Sequence, residues 1–328
     1  MSESESSASR NHETLYLPAG DLVLSSTMSN GGRVLFRVHR FMLAHHSPVF
    51  ADMFLLPSTE GSNETYDGVS LIYMPDATED IEALLQIFYD PSYLPYKRND
   101  IDLPHSTYRA LKLAVKYEVE TVRKRIVEQV KAMWPATLDE WDAIQDLYTS
   151  KLQSGDVPAS GLLPEPVILI LISKYAEVSH ALPTAFYHLS RMKTSLHWID
   201  DTGNTVPPFR FARWNDLNRE DLWRVLKGRE MLSQYMRKSF CQWVTESKFR
   251  HPECTTRKLC KEALDTMWRD MGSEFLDTHD ALNALRLIAR PSSSNKHKFC
   301  SKCLEHNTNL LTRIRKAIWK SMAEIFEL

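Results

Sequence analysis

The apolar positions change rhythm along the chain. Val34, Phe36 and Val38 alternate with Leu35, Arg37 and His39, so one face of a short strand is wholly apolar. A second β-prone run, Asp21 to Leu24, precedes it, and Ser29-Asn30-Gly31-Gly32 between the two is a hairpin signal, because Asn-Gly tolerates positive φ. A third strand is predicted from Val69 to Met74, ended by Pro75. Helical spacing then takes over. Ile81, Leu84, Leu85 and Phe88 fall at i, i+3, i+4 and i+7, with Thr78 and Glu79 as start signals. Leu111, Val115, Val119, Val122, Ile126 and Val130 continue in steps of three and four, and Glu118 to Glu120 divides them between two helices.

Beyond Trp134-Pro135 nearly every pattern is helical. Pro166 suits the first turn of a helix carrying Ile168, Leu169, Leu171, Ile172 and Tyr175. Further stripes run through Leu232, Tyr235, Met236, Phe240 and Trp243, through Leu264, Met267, Trp268, Met271 and Phe275, and through Leu311, Ile314, Ile318, Met322 and Ile325. Met and Trp stripes of this kind are read as helix-packing core rather than a ligand pocket. The predicted fold class is an α+β N-terminal domain, a small sheet capped by helices, followed by a mostly α-helical C-terminal domain. The expected organisation is a disordered Ser/Glu tail over 1–13, the α+β domain over 14–132, a connecting helix and linker over 133–166, and the helical domain over 167–328.

Composition narrows the functions. Ten glycines among 328 residues is well below the usual share of about 7%. GxGxxG, GxxxxGK[ST] and GxSxG are all missing, which removes the usual signs of dinucleotide binding, P-loop chemistry and the serine-hydrolase elbow. Net charge is −2 with a pI near 6.6, so bulk charge gives no case for nucleic acid or an anionic membrane. Between Arg286 and Lys320, however, nine cationic side chains stand against Glu305 alone. A solvated helix face explains them more simply than a DNA-binding patch of a transcriptional regulator. The longest apolar run, Val167 to Ile172, is far short of a membrane span. A polar, acidic N-terminus unlike a signal peptide, with five cysteines, points to a reducing intracellular compartment, cytoplasmic or nuclear.

The cysteines carry the candidate chemistry. Cys254-x5-Cys260 and Cys300-x2-Cys303 form two pairs, with His251, His297 and His306 close by. A C-x2-C turn is a natural half of a structural zinc site, so two readings stand: a Cys254, Cys260, Cys300, Cys303 zinc site, or free thiols. Cys241, beside Phe240 and Trp243, is read as core. His251-Pro252-Glu253 followed by C-x-x-C resembles the zinc-deaminase signature. Phe299 stands where that signature has proline, and the alternating strands and helices are missing, so a zinc-dependent enzyme is the remote alternative.

Phe36-Arg37-Val38-His39-Arg40-Phe41-Met42-Leu43-Ala44-His45-His46-Ser47-Pro48-Val49-Phe50 resembles the core of the BTB/POZ domain. Gly20 to Leu24 resembles that family's first strand, Asp52-Met53-Phe54 its second helix, Gly68 to Asp76 its third strand, and Ala114-Val115-Lys116-Tyr117-Glu118-Val119 the step between its last two helices. The resemblance implies a non-enzymatic interaction module that homodimerises, often by exchanging an N-terminal segment. It places Asp21 and Arg40 at the family's paired charged pocket in the dimer groove, where a buried opposite-charge pair would set register; the other reading is two solvated surface charges. His39 is expected to pack or hydrogen-bond at the strand-to-helix turn. Many members recruit cullin-3 ubiquitin ligases as substrate adaptors, but the Pro- and Tyr-rich stretch from Asp90 to Asp102 departs from the usual pattern. The C-terminal half is similar, more loosely, to fungal BTB proteins whose helical tail ends in a pattern like Cys300-x-x-Cys303, Arg315-x-x-Ile318-Trp319 and Phe326-x-Leu328.

Overall fold

The computed structural model describes residues 9–28, 31–56, 64–94, 105–154, 163–192, 194, 212–245, 250–276, 279–289 and 299–328, with backbone only at 152, 239–245 and 267–276. The chain divides into two compact units, Met1–Trp134 with Leu162–Val178, and Pro135–Gly161 with Ser179–Leu328.

The first unit is built on five strands: β1 (Ser9–Tyr16), β2 (Leu22–Thr27), β3 (Arg33–Val38), β4 (Thr65–Tyr66) and β5 (Val69–Ala77), in the order β1-β3-β2-β5-β4. β2 and β3 pair antiparallel with Leu24 opposite Phe36. Gly31 takes φ +84° in the turn between them, while Ser29 and Asn30 lie outside the described residues. β2 is central, so Leu22 to Ser26 are buried whichever face they point to. Leu35 is buried as well, and the second face of β3 is covered rather than wet.

Two features of the sheet differ from expectation. β1 begins at Ser9, inside the stretch expected to be a disordered tail, and runs parallel to β3 with His12 stacked on Phe36 at 4.9 Å. β5 continues through Pro75 to Ala77. It does so because the β2–β5 register shifts between Ser25 and Thr27, where a residue without an N–H is tolerated.

Helices α1 (Arg40–His46), α2 (Pro48–Leu55), α3 (Thr78–Tyr89), α4 (His105–Lys116) and α5 (Glu120–Met133) pack around the sheet. Ile81, Leu84, Leu85 and Phe88 are the buried face of α3, as their spacing predicts. Glu118 at φ +53° makes the break between α4 and α5. Ser47 fastens α2 to that break: its hydroxyl accepts the Phe50 N–H (3.1 Å) and donates to the Tyr117 carbonyl (2.6 Å), and the Phe50 and Tyr117 rings stack at 4.5 Å.

From Trp134 the chain enters the second unit as α6 (Leu138–Ser154), returns to the first as α7 (Pro166–Ile172), and leaves again. The boundary expected at 166–167 is therefore displaced. All seven residues of α7 are buried, and the helix packs on α4 in the first unit rather than in the C-terminal domain.

The second unit adds α8 (Leu182–Ser190), α9 (Arg219–Thr245), α10 (Arg257–Leu276), α11 (Ala281–Ala289), α12 (Ser301–Lys320) and α13 (Met322–Ile325). A capping box starts α6: the Glu140 N–H donates to Thr137 Oγ1 (3.2 Å) and Glu140 Oε2 accepts the Ala136 N–H (2.8 Å). Trp141, Phe186, Tyr187, Leu282, Leu285, Leu311, Ile318 and Phe326 form its core. The Phe240/Trp243 and Met267/Trp268/Met271/Phe275 stripes lie on helical backbone whose side chains are outside the description, as does that of Cys241.

Gly228 lies mid-helix in α9, where glycine costs about 1 kcal/mol against alanine. A Cβ there would overlap the ring of Phe326, which is fully buried against Phe186. Gly228→Ala is accordingly expected to destabilise the protein by about 1–3 kcal/mol, read as a lower thermal midpoint. A raised midpoint would refute this packing.

Candidate functional site

The first candidate site is the strand-to-helix turn at the start of α1. Asp21 is exposed, and its carboxylate accepts the backbone N–H of Arg40 at 2.8 Å, a carboxylate at a helix N-terminus. The Arg40 guanidinium lies 5.2 Å over the Phe54 ring. The two residues meet through carboxylate and amide, with Asp21 on the surface. His39 does hydrogen-bond at this turn. Its N–H donates to the Tyr89 hydroxyl (2.9 Å), and its Nδ1 lies 3.1 Å from the same oxygen. Burial raises the Tyr89 pKa, partly opposed by that N–H, so the phenol stays neutral and ties the end of α3 to β3. Around this turn, Phe41 is 72% exposed, Leu55 81% and Leu56 70%. Large apolar side chains left this open, on α1 and at the end of α2, are suited to contact with a partner.

The second candidate site is the thiol cluster. The turn at His251–Cys254 and the first turn of α10 deliver Cys254 and Cys260; the N-cap and first turn of α12 deliver Cys300 and Cys303. The four sulfurs lie within 4.8 Å of one another, with Cys254 and Cys300 3.8 Å apart. Three are buried and Cys300 is half-buried. Backbone N–H groups point at the sulfurs, from His251 to Cys303 (3.4 Å) and from Cys300 to Cys260 (3.3 Å). Burial opposes ionisation of Cys300, but the Cys303 amide and the neighbouring thiols outweigh it and bring its pKa down to about 6. Burial pushes the Cys260 and Cys303 thiols up. A group of this make-up can hold a metal ion.

Among the described residues, the neighbouring histidines do not join the set. His251 and His306 stack edge-on at 5.7 Å, and His297 lies outside the described residues. Glu253 is exposed and its carboxylate takes Lys302 Nζ at 2.6 Å.

The basic run from Arg286 to Lys320 is not a continuous surface patch. Arg286 is buried and donates to Asp146 (2.9 Å) and to the Asp142 carbonyl (3.2 Å). Arg315 is buried against the Asp142 carboxylate. Arg290, Lys296 and Lys298 lie outside the described residues. Among the described residues, no helix is long and apolar enough to cross a membrane.

A small mixed sheet wrapped by short helices, with an exposed apolar surface beside its first helix, has the form of an α+β interaction module. Residues 23–133, about a third of the chain, match the BTB/POZ domain family. The N-terminal unit is a BTB/POZ domain, a protein–protein interaction module, and the chain continues from it into a mostly helical region. No curated protein matches the chain.

Proposed function

We propose that this chain is an intracellular, non-enzymatic scaffold or adaptor that homodimerises through its BTB/POZ domain and offers its helical half to other proteins. The observation carrying this reading is the exposure of three large apolar side chains, Phe41 at the start of α1 and Leu55 and Leu56 at the end of α2. Desolvating those side chains in a symmetric pair gives the affinity, and the charges of Asp21 and Arg40 set the register. Light scattering on the full-length protein tests it: a dimer is expected, and Phe41→Asp with Leu55→Asp is expected to give a folded monomer by circular dichroism. A wild-type monomer, or a dimer indifferent to both substitutions, would overturn the reading.

A narrower form is the cullin-3 adaptor. It is favoured by an open groove of about 690 Å³ in the first unit, lined by His46, Ile87, Phe88, Leu94 and Val122. A pull-down with purified cullin-3 that a Thr121→Arg variant, folded by circular dichroism, abolishes would support it, because Thr121 is an exposed residue of the groove lining; no capture by the wild type would remove it.

A further inference from the structure

We propose that Cys254, Cys260, Cys300 and Cys303 bind one zinc ion as a closed tetrathiolate site, and that this ion is the local core of the segment it cross-links. The donor geometry comes first. Zinc bonds thiolates at about 2.3 Å, so the edge of a regular sulfur tetrahedron is about 3.8 Å. Cys254 and Cys300 already stand at 3.8 Å, and all six sulfur–sulfur separations stay within 4.8 Å. Disulfides fit less well. The cysteines are free, and a bridge needs sulfurs about 2.05 Å apart. One bridge would also leave two further thiols buried without purpose.

Packing gives the second reason. The buried cluster at this point consists of Cys254, Cys260 and Cys303, with Phe299 and Cys300 packed against it. Thiols fill the place that aliphatic side chains occupy elsewhere in the unit. Cys254 and Cys260 are separated in sequence from Cys300 and Cys303 by about forty residues, and such a small contact is a weak clamp without a metal.

The surroundings suit a dianionic zinc–tetrathiolate centre. Two backbone N–H groups donate to the sulfurs, and the N-terminal turns of α10 and α12 present their positive ends. Soft thiolates in a tetrahedron select zinc over the hard divalent cations. Four protein ligands leave no position for water or substrate, so the ion is structural. That accords with Glu253, which a catalytic zinc would need as a proton shuttle but which is paired with Lys302.

The test uses the full-length protein purified under reducing conditions. Elemental analysis is expected to find about one zinc per chain, and cobalt(II) exchange to give the intense visible bands of a tetrahedral centre with thiolate-to-cobalt charge transfer. Cys300→Ser with Cys303→Ser is expected to lower zinc to below about a tenth of an equivalent, whereas Cys241→Ser keeps it. Should the double variant fail to fold, the wild-type cobalt spectrum still decides. Metal-free protein with no tetrahedral cobalt spectrum would overturn the proposal. So would zinc retained by the double variant, or iron in place of zinc.

Discussion

Trp141→Ala is expected to remove about 3–5 kcal/mol of stability, a large part of the roughly 5–15 kcal/mol that holds an ordinary domain folded. The indole sits in the first turn of α6, fully buried. Tyr187 and His188 meet it edge-on at 5.4 Å and 6.2 Å, Trp319 lies tilted at 6.1 Å, and the Arg191 guanidinium covers it at 4.6 Å. Alanine would lose the apolar burial and leave a cavity bounded by large rings that cannot close on it. It would also strip a cation–π partner from Arg191, whose side chain is 3% exposed and is paired with Asp280 at 2.6 Å. Urea unfolding followed by far-ultraviolet circular dichroism measures the loss. Trp141→Phe, which keeps part of the ring volume, should lose less than half as much. An alanine variant within about 1 kcal/mol of wild type would mean that Trp141 is not the keystone of this unit.

The sheet and the first helices were legible because their patterns are local. Val34, Phe36 and Val38 can only be a strand face, and Ile81 to Phe88 can only be a helix stripe. β1 was hidden because Ser-Arg-Asn-His-Glu-Thr-Leu-Tyr carries little apolar content. Its order comes from hydrogen bonds to β3 and from His12 on Phe36, neither visible in a segment read alone. Helix α7 shows the opposite failure. Val-Ile-Leu-Ile-Leu-Ile is apolar on every side, so it has no face to indicate which core it enters. Only tertiary packing assigns it to the first unit.

The sites follow the same division. Two cysteine pairs announced themselves by spacing, but their convergence depends on where α10 and α12 begin. The family resemblance, not any pattern in the residues themselves, put Asp21 and Arg40 together. The helix start offered a nearer donor, the Arg40 amide. The Tyr89 hydroxyl that holds His39 lies 50 residues away in sequence and gave no local signal.

In the basic C-terminal run Lys302, Arg313, Lys316 and Lys320 are solvated as the sequence suggests, whereas Arg286 and Arg315 are buried, and Arg315 tests the difference. As a solvated helix cation it could be replaced within about ±0.5 kcal/mol. In the structure it is 6% exposed: its two Nη groups clasp the Asp142 carboxylate and its Nε donates to the Leu282 carbonyl at 3.0 Å, binding α12 to α6 and to the start of α11. Arg315→Leu keeps the bulk and removes the charge. It leaves the Asp142 carboxylate without the Arg315 guanidinium and removes the side-chain donor from the Leu282 carbonyl, an expected loss of about 3 kcal/mol. Arg315→Lys restores charge but not the two-pronged geometry, and should recover only part of it. Because the cost lies in the stranded carboxylate, Asp142→Asn in the Arg315→Leu background should cost far less than the sum of the two single changes, with a coupling of about 1–3 kcal/mol in the double-mutant cycle. Strict additivity would mean that Arg315 and Asp142 do not depend on one another, against the clasp seen between them.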